Sequence, residues 1–81
     1  MPSLQFEKEQ LEVADRHIAT ARRNIAEMKA NLALARAAGD DTALAERALA
    51  AAENGLSAFL EHRELIVRTI DDIEAGRLRS T

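Results

Sequence analysis

The sequence contains no cysteine, no tryptophan and no tyrosine, and its only phenylalanines are Phe6 and Phe59. Without cysteine the chain can form neither a disulfide nor a thiolate metal site. With so few aromatic rings it lacks the platform on which single-stranded nucleic acids stack. Proline is equally scarce. Since the single proline is Pro2, none interrupts a helix further along the chain.

A large excess of charge and long apolar runs are also missing. The formal net charge is −3, so no overall basic field attracts nucleic acid or acidic lipid. No segment reaches the roughly 20 apolar residues of a membrane span. The N-terminal residues lack the basic and apolar regions of a secretion signal. We therefore expect a cytoplasmic protein with no membrane partner and no cofactor, for which nucleic acid is a disfavoured partner.

The size of the chain limits how it can be stabilised. Eighty-one residues suffice for one domain, which we take to span residues 1–81. A chain of this length buries a thin core and usually gains stability from a disulfide, a metal or a partner. Because cysteine is absent, the route that stays open is oligomerisation.

The first half of the chain carries a heptad repeat, which predicts a helix over about residues 3–38. Ser3 can cap its start, and Glu7 in the first turn suits the positive end of the helix dipole. The letters a to g denote heptad positions, of which a and d face the partner helix. The a positions are Leu4, Leu11, Ile18, Ile25 and Leu32, and the d positions are Glu7, Ala14, Ala21, Met28 and Ala35.

Turn signals follow directly after this repeat. Gly39 fits the left-handed position that ends a helix, which predicts a turn at residues 39–41. Asp41 or Thr42 can then cap the next helix. A connection this short forces an antiparallel helical pair. The predicted fold class is therefore all-α, an antiparallel two-helix coiled-coil hairpin that pairs into a dimeric four-helix bundle.

A second heptad repeat predicts a helix over about residues 42–76. Gly76 is its predicted C-terminal cap, and residues 77–81 are expected to fray. One core position is polar, since Arg63 occupies an a position. The a positions are Leu49, Leu56, Arg63 and Ile70, and the d positions are Ala45, Ala52, Phe59, Ile66 and Ile73.

One flank of this hairpin, formed by the e positions, is mostly charged, and its residues are complementary across the two helices. Such pairs fix orientation and register more than they add stability. The predicted pairs are Arg36 with Glu46, Lys29 with Glu53, and Lys8 with Glu74. Arg63 has two open interpretations: its stem packs while its head reaches Asp15 or water, or it is a polar core residue that fixes register.

The opposite flank, formed by the g and c positions, carries no formal charge at g and many apolar residues at c. A single hairpin would leave this broad apolar surface in water, which soluble monomers avoid. We therefore predict a homodimer that buries it, with the e flank around Leu60 and Val67 as the rival surface. The predicted dimer interface consists of Phe6, Val13, His17, Leu34, Leu44, Ala48, Gly55, His62 and Leu65.

Two residue types suggest binding sites. His17 and His62 are both g positions, expected at the same height, where they could form a two-histidine metal site or a pH switch. Neither has a Glu, Asp or His three or four residues away on its own helix, so we predict surface or interface histidines and no metal. Basic residues also form a stripe along the first helix: Arg16, Arg22, Arg23, Lys29 and Arg36.

The functional prediction is a non-enzymatic structural or protein-interaction module that self-associates through a helical face and can also present it to another protein. No nucleophile, phosphate-cradling or metalloprotease motif is present, and a two-helix hairpin offers no deep pocket. The alternative, suggested by the basic stripe, is a small RNA- or DNA-associated hairpin dimer of Rop-like architecture.

Two short runs carry a resemblance to known proteins. They are residues 14–19, Ala-Asp-Arg-His-Ile-Ala, and residues 39–46, Gly-Asp-Asp-Thr-Ala-Leu-Ala-Glu, followed later by His62-Arg63. Together they resemble short uncharacterised helical-hairpin proteins of bacteria. The resemblance implies a hairpin fold over most of the chain, and it implies no activity and no functional residue.

Overall fold

The computed structural model describes residues 3–78, which form two helices and no strand. Helix α1 spans Leu4–Ala37 and helix α2 spans Ala43–Glu74. The two helices pack against each other along their length. The all-helical hairpin predicted from the heptads is thus confirmed, with each helix one or two residues shorter at its ends than expected. Residues 79–81 of the expected tail lie outside the described range.

Helix α1 begins where the sequence predicts, because Ser3 caps it. The Phe6 backbone N–H donates to Ser3 Oγ at 3.3 Å, and the Glu7 N–H donates to the Ser3 carbonyl at 2.9 Å. Glu7 lies in the first turn, next to the unpaired N–H groups. These local bonds satisfy donors that would otherwise lack partners at the helix end.

The turn between the helices is closed by a Schellman motif. The Asp40 N–H donates to the Ala35 carbonyl at 3.0 Å, and the Gly39 N–H donates to the Arg36 carbonyl at 3.1 Å. Gly39 has a φ of 77°, a backbone conformation that residues with a Cβ rarely adopt. The predicted role of Gly39 as the residue that ends α1 is therefore confirmed.

Helix α2 uses both of the predicted capping residues, in different ways. Thr42 occupies the N-cap position but makes no side-chain bond to the backbone. Its hydroxyl donates instead to Glu46 Oε1 at 3.2 Å. The side-chain cap comes from Asp41, whose Oδ1 accepts a hydrogen bond from the Ala43 N–H at 3.0 Å.

The end of α2 repeats the motif at the end of α1. Gly76 has a φ of 79°, and the Arg77 N–H donates to the Asp72 carbonyl at 2.8 Å. The Arg77 side chain also pairs with the Asp72 carboxylate at 2.7 Å. The Leu78 N–H reaches the same Asp72 carbonyl at 3.2 Å. The first two residues of the expected tail are therefore hydrogen-bonded to the end of α2.

The core is thin and unevenly distributed. We define an open half, residues 4–21 and 57–74, and a turn half, residues 22–37 and 43–56. All buried side chains occupy a or d positions, as the heptads predict. They are Ala14, Ile18, Ile66, Ile70 and Ile73 in the open half, and Ile25 and Leu32 in the turn half. Among the described residues of α2, none before Ile66 is buried.

The hairpin is a rod with a large surface for its mass. It measures 58 × 15 × 15 Å, with a radius of gyration of 18.0 Å. A compact chain of this length has a radius of gyration of about 12 Å. Its accessible surface is 5813 Å². A compact protein of 8.9 kDa exposes about 4,800 Å².

Candidate interaction face

Three contacts between the helices show which residues lie within side-chain reach of each other. Arg63 Nε donates to Asp15 Oδ1 at 2.6 Å, and Arg36 Nη2 donates to Glu46 Oε1 at 2.7 Å. The ring centroids of His17 and Phe59 are 5.5 Å apart. Residue 15 thus lies within one helical turn of the height of residue 63, as do residue 17 of residue 59 and residue 36 of residue 46.

The charged e flank forms one of the three predicted ion pairs. Arg36 and Glu46 pair as expected. Within residues 3–78, the structure has no ion pair between Lys29 and Glu53 or between Lys8 and Glu74, so those two predictions were wrong. Both would join long, flexible side chains over exposed surface, where hydration competes with pairing and the gain is a few tenths of a kcal/mol at most.

The interpretation of Arg63 as a residue with a packed stem and a reaching head is confirmed. Arg63 is half-buried, and its guanidinium contacts Asp15 on α1. Phe59, another expected core residue, keeps 39 % of its surface exposed. Its ring lies against the exposed His17 at an interplanar angle of 45°. Phe59 is therefore at the border between the core and the uncharged flank.

The clearest electrostatic effect in the described chain is a pKa shift of Glu46, next to the turn. Glu46 accepts hydrogen bonds from the Arg36 guanidinium and from the Thr42 hydroxyl. The Arg36 bond, followed by the Thr42 bond, lowers the pKa of Glu46 below its ordinary range. Both bonds favour the ionised carboxylate, which is the physical cause of that shift.

We call the flank formed by the g and c positions of both helices the g/c face. The four most exposed large apolar side chains of the described chain are c residues of this face: Phe6, Leu34, Leu44 and Leu65. Leu44 exposes 79 % of its surface and Leu34 71 %. Val13, a further c residue, is half-buried. The remaining predicted interface residues, at g positions, are all exposed: His17, Ala48, Gly55 and His62.

A shallow apolar pocket opens on the g/c face in the turn half. It has a volume of about 370 Å³ and lies between the two helices. Two of its lining residues, Asn31 and Ala48, are g positions, which establishes the side on which it opens. The lining residues are Met28, Asn31, Leu32, Ala35, Ala45 and Ala48. The Asn31 amide is the one polar side chain among them, so the pocket suits an apolar side chain and has no group for acid–base chemistry.

Sequence reasoning placed Ala48 in the interface but missed the pocket. Its signal was present in the two d positions nearest the turn, Ala35 and Ala45, which are both small. On the observed register these alanines lie at the same height. Neither side chain is long enough to fill the space between the helices, and the gap that results is the pocket.

The described part of the chain contains no evident metal site and no helix that could span a membrane. Across residues 3–78, no cluster of three or more His, Asp or Glu side chains is arranged to hold a metal ion. Neither α1 nor α2 is long and apolar enough to cross a membrane. In the basic stripe, Arg16, Arg22 and Arg23 are exposed, whereas Arg36 is paired with Glu46.

Comparisons with protein families, with curated protein sequences and with solved structures give no match to this chain.

Proposed function

We propose that this chain is a non-enzymatic protein-interaction module that self-associates through its g/c face into a dimeric four-helix bundle. One observation carries the proposal. The four most exposed large apolar side chains are all c residues of the same face, beside a row of g residues without formal charge: Phe6, Leu34, Leu44 and Leu65. Large exposed apolar side chains that gather on one face of a protein mark an interaction site.

The accessible surface supports a partner of the size of a second copy. The hairpin exposes 5813 Å², about 1,000 Å² more than a compact protein of its mass. A standard protein interface buries about 800 Å² on each partner. The excess surface therefore matches what one stable interface would remove from water. No large side chain among the described residues is completely enclosed. A partner would therefore also bury side chains that the single hairpin leaves partly exposed.

The charge distribution favours the g/c face over the e flank for contact between identical copies. In a two-fold dimer each residue meets its own kind or a fixed counterpart, so like charges on the face would repel. The g row has none, and the c row has two acidic residues, Glu27 and Asp72. Asp72 is already paired with Arg77. Two g/c faces can therefore meet with little repulsion.

Gly55 supports close approach of a second molecule. It lies within α2 on the g row, where glycine costs up to about 1 kcal/mol relative to alanine. The hairpin itself does not require this glycine, because a Cβ added there would meet no atom within 4 Å. A partner helix packed closely on this face would explain why position 55 carries a residue without a side chain.

Sedimentation equilibrium of the wild type and of a Leu44→Glu, Leu65→Glu double variant tests the proposal. Both leucines are more than half exposed, so the variant should keep its helical circular dichroism. We expect a dimeric wild type and a variant whose dissociation constant rises at least 100-fold, because carboxylates would be buried in the interface without partners. Leu60→Glu on the e flank is the control and should stay dimeric. A monomeric wild type, or loss of the dimer in the control alone, would refute the g/c interface.

The alternative, a hairpin dimer that binds RNA or DNA, is favoured by the three exposed arginines of α1. Among the described residues, Arg16, Arg22 and Arg23 take part in no ion pair. If this alternative holds, purified protein should carry nucleic acid that absorbs at 260 nm, and Arg16→Glu, Arg23→Glu should release it. A cytoplasmic location, a bacterial origin and a further protein partner stay predictions of the sequence.

A further inference from the structure

Both histidines of the chain lie in the g row of the g/c face. The sequence contains two, His17 on α1 and His62 on α2. Both side chains are exposed in the single hairpin. Histidine is the side chain whose charge ordinarily changes between about pH 5 and 8. The g row therefore lacks formal charge only while these two imidazoles are neutral.

The position of the g row on the face decides whether a second copy would cover these imidazoles. Around a heptad helix, g lies between d, which faces the other helix, and c, which lies further out. The structure has this order, since the His17 ring lies against Phe59, a d residue, with ring centroids 5.5 Å apart. The g residues Asn31 and Ala48 likewise line the pocket between the helices. A second copy that buries the c leucines of both helices therefore also covers the g row, whichever way round it lies.

We infer that acid dissociates the dimer by protonating His17 and His62. The inference rests on the proposed function, because it requires the g/c face to be buried between two copies. A two-fold interface would enclose four imidazoles, and enclosing their positive charges without partners is costly. In the free hairpin the same imidazoles are exposed and take up protons without this cost. The dimer is therefore stable at neutral pH and weakens as the pH falls through the range in which histidine becomes protonated.

The hairpin itself provides no carboxylate to compensate a charged imidazole. In the described chain neither imidazole takes part in a hydrogen bond or an ion pair. Asp15 and Arg63, one or two residues away along the chain, are bound to each other. Arg16 and Glu61 are f residues, which point away from the other helix. The residues three and four positions from each histidine are all uncharged: Val13, Ala14, Thr20 and Ala21 on α1, and Ala58, Phe59, Leu65 and Ile66 on α2.

The second copy has few carboxylates to offer. The formal charges on its g/c face are Glu27 and Asp72, both in the c row. Asp72 is paired with Arg77 at 2.7 Å, whereas Glu27 makes no ion pair in the described chain. The two imidazolium ions of each copy would therefore outnumber the one free carboxylate that the other copy brings to the interface.

The net charge of the chain acts in the opposite direction, and it is the weaker effect. Each copy has a formal net charge of −3 with neutral histidines, so protonation of both histidines lowers the long-range repulsion between two copies. At 0.15 M salt the screening length is about 8 Å, which removes most of the repulsion between distant surface charges. Charges enclosed within one interface are screened much less. The local cost at the g row therefore decides the sign.

Sedimentation equilibrium at pH 7.5 and pH 5.5 in 0.15 M salt tests the inference. Histidine ordinarily has a pKa of about 6.5, so each histidine that must be neutral in the dimer raises the dissociation constant about tenfold at pH 5.5. We expect the dissociation constant of the wild type to rise at least tenfold. The matched control is a His17→Gln, His62→Gln double variant, which stays uncharged at these positions. Its dissociation constant should change less than about twofold, since Asp and Glu ordinarily remain ionised at both pH values.

Circular dichroism at both pH values should show an intact helical hairpin. A wild-type dimer that is equally tight or tighter at pH 5.5 would overturn the inference and leave the proposed function standing. The same acid response in the double variant, or a loss of helix in the wild type at pH 5.5, would also overturn it, because groups other than the histidines or unfolding would then be the cause. A wild type that is monomeric at pH 7.5 would overturn the proposed function together with the inference.

Discussion

The open half and the turn half of this hairpin follow the same heptad repeat, yet they bury different numbers of side chains. In the open half a small d residue meets a large one, since Ala14 packs with Ile66 and Ile70 in one cluster. In the turn half two small d residues, Ala35 and Ala45, lie at the same height and line a pocket. The difference shows that the heptad decides which face is apolar, whereas the volumes at facing positions decide how well it packs.

The largest expected effect is the loss of a buried side chain from the open half. Ile66 is 5 % exposed, so Ile66→Ala should lower the free energy of unfolding by about 2–5 kcal/mol, through lost burial and the cavity left behind. Leu49 of the turn half is half-buried, and Leu49→Ala should cost clearly less. Urea unfolding at one protein concentration measures both values. An equal or larger loss for Leu49→Ala would abolish the distinction between the halves.

Filling the pocket should reduce the difference in packing between the open half and the turn half. Ala45→Leu adds an apolar side chain where the structure leaves space, and we expect a gain of about 1 kcal/mol for the isolated hairpin at low concentration. The same leucine would occupy the space offered to a second copy, so the dimer should weaken.

Ala50→Leu, at an exposed b position of α2, is the matched control and should change neither quantity. Thermal unfolding at low protein concentration and sedimentation at high concentration separate the two effects. A variant that is stabilised and also dimerises more tightly would show that the pocket is filled within one hairpin rather than by its partner.

The features that sequence analysis predicted are the local ones. Ser3 and Gly39 act within one turn of chain, where capping chemistry alone decides the outcome. The pair of Arg36 and Glu46 was also predictable, because it lies next to the turn and a short turn fixes the register there.

The pocket and the two failed ion pairs depend on relations between the helices. Lys29 and Glu53 are both exposed, and the heptad does not specify whether two long, flexible side chains on the surface pair or stay hydrated. The pocket requires Ala35 and Ala45 to share a height, and the heptad alone does not specify that. Both outcomes therefore depend on side-chain volumes and helix spacing, which a one-dimensional pattern does not contain.

The smallest expected effect concerns the ion pair of the turn half and its response to acid. Glu46 of the turn half has a pKa lowered chiefly by its bond from Arg36, and next by its bond from Thr42. A carboxylate whose pKa is lower in the folded than in the unfolded chain stabilises the fold above its unfolded pKa. That stabilisation is lost as the pH falls through the folded value.

Glu46→Gln should therefore lower stability slightly at neutral pH and leave it unchanged in strong acid. The wild type should lose its advantage as the pH falls below about 4.5, the ordinary glutamate value. Urea unfolding at pH 7 and pH 3 measures this, and Arg36→Gln should reproduce the same pattern because it removes the first donor. In the double variant the two losses should not add, since both report one interaction. Additive losses, or a difference that is as large at pH 3 as at pH 7, would mean that Glu46 stabilises the turn half by packing and not through its charge.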